Sequence, residues 1–458
     1  VEKLTLKEIE VAIKGKIIQK GTEEEFYNVS IDTRNLKDGD IYLAIRGENF
    51  NGNDYVVEAM NKGAKLCIVD EVKFECSDIK EDVSVLLVKN TRKAILDLAR
   101  YYRETLDIKV VGITGSTGKT STKDLTAAVL GSKYKVFKTK GNFNNEIGLP
   151  LMIFSLDRSY DIAVLEMGMS NEGEIHNLAY AAKPDIALIT NVGISHIENL
   201  GTRENILKAK MEITDFFNEN NVLIINCDND MLSTVKEKDY KIVKIGTENE
   251  LNYKARGIIS NEDSVKFQLK EDNTCDLVQY VINMPGKHNV LNGMLAIACG
   301  KELGLSVEEI QRGLLNVEAT SMRLEVIKSE KLTIINDCYN ASPDSMFAAL
   351  DVLKNCNGNK KIAILGTMKE LGNEAKNAHF KVGEYAKECG VDLLICIGDN
   401  SEDYKLGFAQ NSDSMVFDDK DEAIKYLENF ISLGDVVLVK ASRSMKFEHI
   451  VNKLIEYK

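Results

Sequence analysis

Thr114-Gly115-Ser116-Thr117-Gly118-Lys119-Thr120 reads as a phosphate cradle, and the residues on either side support that reading. Lys109-Val110-Val111-Gly112-Ile113 before it is an apolar run of the kind that forms a buried parallel strand. From Ser121 to Leu130 the apolar spacing fits a helix. A strand, a glycine turn and a helix start make an anion site, because glycines let backbone N–H groups turn inward and the helix N-terminus favours negative charge. Lys119 would neutralise the outer phosphates and the Thr120 hydroxyl would face Mg²⁺. The longer form of the pattern needs a glycine where this chain has Ile113, so the match is to GxxGKT. In isolation a Gly/Ser/Thr-rich turn with one lysine is often a plain loop; the flanking elements favour the phosphate.

Outward from this stretch the chain keeps a strand-then-helix rhythm. Apolar runs recur at Ile162-Ala163-Val164-Leu165, Ile186-Ala187-Leu188-Ile189 and Val222-Leu223-Ile224-Ile225, which predicts a doubly wound parallel sheet. This segment extends to about Val317, with an antiparallel-looking stretch near 251–284. A second, smaller parallel sheet is expected from Thr333-Ile334-Ile335, Ile362-Ala363-Ile364-Leu365, Leu393-Leu394-Ile395-Cys396 and Val436-Val437-Leu438-Val439. The first hundred residues mix short strands, Ile41 to Ile45 and Leu66 to Val69, with helices over Asn53 to Gly63 and Thr91 to Tyr102. The expected fold is α/β in three domains: 1–106, 107–318 and 319–458.

Composition narrows the function. A net charge of −13 over 458 residues argues against nucleic acid as the main partner, since its backbone demands clustered Lys and Arg. A nucleotide stays possible, because a local dipole and a metal override global charge. No apolar run approaches the ~20 residues that span a bilayer, and the start Val1-Glu2-Lys3-Leu4-Thr5 is no signal or transit segment. A cytoplasmic monomer is expected. Nine cysteines (67, 76, 227, 275, 299, 338, 356, 389 and 396) lie scattered without a CxxC pair, which predicts reduced, mostly buried thiols.

Several groups could carry chemistry. Glu166 ends the strand Ile162 to Leu165 at the sheet edge where the cradle lies, a common place for a Mg²⁺ carboxylate; the plain alternative is a solvated acid. Asn191 and His196 follow the next strand and would emerge at the same edge. His196 is one of 5 histidines and could ligate a metal, although a lone histidine is more often structural. Lys210, in a helix through Leu207-Lys208-Ala209-Lys210-Met211-Glu212, reads as a solvated lysine paired with acids one turn away. Asn289, where Pro285-Gly286-Lys287-His288 opens a helix, reads first as its cap.

Taken in order, TGSTGKTS, GNFNNEIGLP (141–150), LEMG, TNVGISHIENLG (190–201), AKMEI, PGKHNVLN, MR, DCYNASPDS and LGTMKELG resemble the Mur ligases over nearly the whole chain. These are ATP-dependent enzymes that form the amide bonds of the bacterial cell-wall precursor. Asn142 to Pro150 and Gly366 to Gly372 are most similar to the member that adds D-Ala-D-Ala to a UDP-N-acetylmuramoyl-tripeptide. The resemblance implies an N-terminal UDP-precursor-binding domain, a central ATPase and a C-terminal Rossmann-like domain. It implies that Thr114, Gly115, Ser116, Thr117, Gly118, Lys119, Thr120 and Ser121 cradle ATP, with Asn289, Asn292, Arg323 and Asp337 at the nucleotide. Thr120 and Glu166 would hold one Mg²⁺ and His196 a second. Lys210 would carry CO₂ as a carbamate, a metal-binding anion made from a cation. Ser30, Asp32, Thr33, Arg34 and Gly47 match the uridine-diphosphate region, and Asn142, Asn144 and Asn145 the substrate loop. Lys440, Ser442 and Arg443 would meet the incoming peptide. Lys119, Lys210, His196 and Asn191 are the expected catalytic group. One departure stands out: many relatives have Asp-Tyr-Ala-His-Asn-Pro where this chain has Asp337-Cys338-Tyr339-Asn340-Ala341-Ser342-Pro343, so no histidine role transfers there.

The chemistry agrees with that class. A carboxylate is a poor electrophile; phosphorylating it from ATP gives an acyl phosphate that an amine can attack. Two other readings compete. A folate-tail ligase would share the ATPase but need no Asp32-Thr33-Arg34 region. A nucleotide switch without ligase chemistry is the third, and the NKxD string of a guanine-reading switch is absent.

Overall fold

The computed structural model describes residues 1–47, 49–248, 251–271, 277–408 and 413–457. Among these residues the strands assemble into three main sheets and one two-stranded ribbon. The central sheet has nine strands. In spatial order they are Leu277–Ile282, Val265–Glu271, Tyr253–Ser260, Lys241–Gly246, Val222–Asn226, Ile186–Ile189, Lys109–Thr114, Ile162–Glu166 and Val136–Lys138. From Tyr253–Ser260 to Val136–Lys138 every pairing is parallel, and only the last two strands of the other edge run antiparallel. This matches the doubly wound expectation and the antiparallel stretch near 251–284.

The parallel strands are buried on both faces, which is why they read as unbroken apolar runs rather than alternating ones. Successive residues still go to opposite layers. Val111, Val164 and Leu188 pack under the helices Lys119–Gly131 and His288–Glu302. Val110, Leu165 and Ile189 join a second core that also contains Leu4, Leu6, Ile9, Tyr102 and Phe154. The N-terminal residues and one face of the central sheet therefore share one hydrophobic core. The C-terminal sheet keeps separate cores on its two faces, drawn from residue 332 onward, with Ile194 and Leu324 packed at their margin.

That C-terminal sheet runs Glu325–Lys328, Leu332–Asp337, Asp435–Lys440, Lys361–Gly366, Leu393–Ile397 and Ser414–Phe417, parallel except for the first hairpin. Its four apolar strands were legible in the sequence; the two edge strands, which carry polar residues, were not. The N-terminal sheet has five strands, parallel except for Lys16–Gln19. Ile41–Leu43 is shorter than expected and buried throughout. Asn53 to Gly63 divides into a 3₁₀ turn, Gly52–Tyr55, and a short helix, Val56–Asn61. Cys67, Cys299, Cys338, Cys356, Cys389 and Cys396 are buried free thiols and Cys227 is half-buried, as expected; Cys275 lies outside the described residues. No helix among the described residues is long and apolar enough to cross a membrane.

Candidate functional site

The cradle sits where the central strand Lys109–Thr114 meets the helix Lys119–Gly131, at the carboxyl edge of the sheet. Chain order reverses direction across the sheet here, the usual ligand crevice of an open α/β fold. The loop is held from the neighbouring strand. Thr117 N donates to Asn191 Oδ1 (2.8 Å), Asn191 Nδ2 donates to Thr117 Oγ1 (2.7 Å), and Ser116 N donates to Asn191 O (3.0 Å). Asn191, expected among the catalytic groups, thus uses both ends of its amide on Thr117. Gly193 N donates to Ser116 Oγ (2.9 Å). Gly118 adopts a left-handed conformation at the helix start (φ 77°), where a Cβ would lie 2.8 Å from Asn292 Oδ1.

Lys119 Nζ donates to Gly115 O at 2.7 Å and, more weakly, to Ser116 O at 3.5 Å. Both acceptors belong to its own loop, and among the described residues no carboxylate lies within ion-pair distance of it. Burial pushes its ammonium pKa down, with the Glu166 charge opposing and the Arg323 charge adding to the effect. A cation held this way favours an anionic ligand.

Thr120 Oγ1 donates to Glu166 Oε2 (3.0 Å), and Asn144 Nδ2 donates to Glu166 Oε1 (2.9 Å). Thr120 and Glu166 are both buried and adjacent, as expected for a shared ion, and their oxygens suit a hard divalent cation. Among the described residues no three His, Cys, Asp or Glu groups converge. His196 faces the C-terminal domain, where its Nδ1 lies in close contact with a Glu370 carboxylate oxygen. Both residues are left-handed (φ 64° and 63°).

The solvated-lysine reading of Lys210 is wrong. It lies in the helix Arg203–Met211 at 1 % exposure, and its ammonium has no hydrogen-bond or ion-pair partner among the described residues. Burial drives its pKa well below the ordinary value, and the Lys119 charge drives it further down. The cap reading of Asn289 also fails. The helix His288–Glu302 is capped at Lys287, and buried Asn289 donates to Pro285 O (2.7 Å) and accepts from Asn292 Nδ2 (3.0 Å). Asn292 Oδ1 accepts from Thr122 Oγ1 (3.2 Å), which ties this helix to the cradle helix.

A cavity of about 230 Å³ opens between the cradle and the C-terminal sheet. Of the sequence-derived residues, Ser116 to Ser121, Asn191, Asn289, Asn292, Arg323, Asp337 and Lys440 line it. Thr114 is buried in the strand below, while Gly115, Glu166, His196 and Lys210 lie outside the lining. Lys440 was expected at the peptide; it is buried at the end of Asp435–Lys440, and Nζ donates to Asp337 Oδ2 (2.5 Å) and Asn340 O (2.9 Å). Ser442 Oγ accepts from Lys369 N (3.1 Å). Arg443 pairs with Glu448 (2.9 Å) and faces the Tyr339 ring, over which Arg323 stacks at 4.1 Å.

Sequence reasoning missed Thr190, Asn226, His288 and Asp344, which also line the cavity. Thr190 and Asn226 end strands of the same sheet, a position that could have drawn attention to them. His288 is pushed from 6.5 down to about 4 by burial, the Asp337 charge opposing. Away from the cavity, Ser30, Asp32, Thr33, Arg34 and Gly47 cluster beyond the carboxyl ends of the parallel strands Val29–Ser30 and Ile41–Leu43. There Arg34 forms a two-point pair with Asp32 (2.9 and 2.7 Å), and Arg34 holds the Asp32 carboxyl down to about 2. Thr33 Oγ1 donates to Glu58 (2.9 Å) and Gly47 N to Phe50 O (2.9 Å). Asn145 Oδ1 accepts from Gly148 N (2.8 Å) at the start of a helix, and Asn142 lies in the exposed turn before it.

Comparison with known proteins agrees with this layout. The Mur ligase family, catalytic domain matches residues 25–103, the Mur ligase middle domain 113–300, and the Mur ligase, glutamate ligase domain 322–443. The UDP-N-acetylmuramoyl-tripeptide–D-alanyl-D-alanine ligase of Bacillus subtilis (strain 168) is 38% identical over 467 aligned positions, covering 99% of both chains. A crystal structure of MurF from Acinetobacter baumannii superposes with a TM-score of 0.92 at 29% identity, covering 100% of this chain and 99% of that one. The MurF ligase from Thermotoga maritima, crystallised with ADP, gives 0.84 at 28% identity over 94% of this chain and 97% of that one. With a glycine cradle, its lysine and three family segments matched along its length, the chain belongs to the Mur ligase family.

Proposed function

We propose that this protein joins D-Ala-D-Ala to a UDP-N-acetylmuramoyl-tripeptide at the expense of ATP, through an acyl phosphate. The observation that carries this reading is Lys119, a half-buried cation whose donors, among the described residues, reach only its own loop carbonyls, beside a cavity lined in part by the C-terminal domain. ATP is a substrate here. Its phosphates would meet the cradle N–H groups and Lys119, while Asn289, Asn292, Arg323 and Asp337 line the remaining wall. Asn191 serves by fixing Thr117, and Thr114, Gly115 and Ser121 serve as the frame of the loop.

Thr120 and Glu166 would hold Mg²⁺, which when bound spreads the charge developing on the transferred phosphoryl group. His196 would serve a second ion once freed from Glu370. Lys210 fits a carbamate: burial and the neighbouring Lys119 charge disfavour its ammonium form, an amine can take up CO₂, and the anion made there would attract Lys119. The tripeptide carboxylate attacks the γ-phosphorus and ADP leaves; the D-Ala-D-Ala amine then attacks the carbonyl carbon, and phosphate leaves as the nitrogen gives up a proton to form the amide. The chain's own part is to orient both substrates and exclude water.

Ser30, Asp32, Thr33, Arg34 and Gly47 would receive the uridine diphosphate, and Asn142, Asn144 and Asn145 the precursor side of the cradle. Ser442 and Arg443 would approach the dipeptide, while the paired Lys440 braces Asp337 at the nucleotide. The boundaries 1–106, 107–318 and 319–458 belong to this reading, supported by one main sheet within each span. So do a cytoplasmic location, where both nucleotide substrates are found, and a monomer.

The test is direct. Purified protein with ATP and D-Ala-D-Ala is offered UDP-muramyl tripeptides ending in lysine or diaminopimelate, and products are weighed by mass spectrometry. A pentapeptide product, with phosphate release that needs both acceptors, is expected. Phosphate release without either acceptor, or ligation to a folate instead, overturns the reading.

A further inference from the structure

We propose that Asp124 and Thr320 form a clamp that aims Arg323 into the nucleotide cavity, so that both act as positioning residues for the proposed reaction. Asp124 lies one turn beyond Thr120 on the helix Lys119–Gly131, on the same face. It is 2 % exposed and all of its accepting capacity is used. Oδ1 takes Lys138 Nζ (2.9 Å) and the buried Lys123 Nζ (3.4 Å). Oδ2 takes both the backbone N (3.0 Å) and the Oγ1 (2.7 Å) of Thr320, across 196 residues.

Thr320 opens the connection to the C-terminal sheet. Three residues later Arg323 Nη2 donates to Thr120 Oγ1 at 3.3 Å. The connection is therefore fastened to the cradle helix at two points, four residues apart on the helix and three apart on the linker. Between and beyond them the backbone is strained. Met322 (φ 59°) and Leu324 (φ 50°) are both left-handed, a conformation costly for side chains of their bulk.

Such a kink persists only when fixed from both sides. On the C-terminal side, Leu324 N donates to Asp337 Oδ1 (3.2 Å) and Met322 N to Glu325 Oε2 (3.1 Å). On the central side the fixture is Asp124. The result is an arginine stacked on Tyr339 and turned into the cavity, with a buried Nε that has no acceptor among the described residues. Without the Thr320 clamp the strained segment relaxes and Arg323 loses its aim.

This inference rests on the cavity's being the ATP site, so binding is measured before turnover. Calorimetric titration of Mg–ADP into wild type, Thr320→Val, Thr320→Ser, Arg323→Ala and the Thr320→Val/Arg323→Ala pair separates the outcomes. Thr320→Val is expected to weaken binding about tenfold, the scale of one lost hydrogen bond plus misaligned charge. Thr320→Ser, which keeps the hydroxyl, restores it to within about twofold. With Arg323 already removed, Thr320→Val adds nothing, because the clamp acts only through that side chain.

If Thr320→Val does not fold, Thr320→Ala takes its place in both backgrounds. Unchanged affinity in the Thr320 variant, or a full additional loss in the double variant, overturns the clamp. A wild type that binds no Mg–ADP overturns the ATP reading instead.

Discussion

Lys210 shows how a single side chain carries more than its sequence position suggests. A helix lysine flanked by Lys208 and Glu212 reads as surface, yet it is buried beside Lys119 with no counter-charge paired to it among the described residues. Leaving such a cation unpaired is costly, which favours conversion to an anion. Lys210→Ala is expected to abolish ligation, and added short carboxylic acids should restore part of it. Native intact-mass measurement of active wild-type enzyme should find the CO₂ adduct; an unmodified lysine in fully active protein ends that assignment. His288 makes the second prediction at this scale. Folded, its ring stays neutral until about pH 4; unfolded, it takes a proton near 6.5. Between those values the unfolded chain binds more protons, so stability present above 6.5 is lost as pH falls and levels off below 4. Thermal unfolding of His288→Gln should slope less across that window than wild type, and an unchanged slope would mean the ring is not the titrating group.

At the level of elements, the cradle depends on how closely strand and loop approach. A Cβ on Gly115 would stand 1.8 Å from Thr190 Oγ1, the hydroxyl that donates to Thr117 O at 2.5 Å. Gly115→Ala must therefore push the loop off the Ile186–Ile189 strand and open the anion cradle. A loss of ATP affinity of roughly a hundredfold or more is expected by calorimetry, since several backbone donors move together. Affinity near that of wild type would show that the loop does not need this contact. The cradle was legible from TGSTGKT because glycine geometry and a helix start are local properties. Thr190 was not, because it meets the loop only through strand pairing.

For the whole molecule, the distribution of core matters most. The N-terminal residues share a core with the central sheet, whereas the C-terminal sheet has its own cores and meets the centre largely through polar contacts such as His196–Glu370 and Arg323–Thr120. Closure is therefore expected of the C-terminal domain, with the first two moving as one. Small-angle scattering should show a smaller radius of gyration when a non-hydrolysable ATP analogue and the UDP precursor are both added; an unchanged radius argues for a rigid molecule. The separation of sites gives another prediction. Arg34 lies beyond the N-terminal sheet and outside the cavity lining. Arg34→Ala should raise KM for the UDP precursor several-fold, as loss of one charged contact would, with KM for ATP little changed. The reverse ranking in steady-state kinetics would mean the two sites are exchanged.

The buried apolar strands, the cradle and the helix start behind it follow from the sequence alone, since apolar periodicity and backbone geometry act over a few residues. The same is true of Glu166, which ends a buried strand at the edge where the cradle opens. What only the tertiary structure decided is which charges go unpaired and which are spent. Lys440 is neutralised by Asp337 across 103 residues and Asp124 is consumed by Thr320 across 196, while among the described residues Lys119 and Lys210 have no carboxylate to pair with. Those outcomes depend on burial and on contacts between distant segments, and local sequence pattern carries neither.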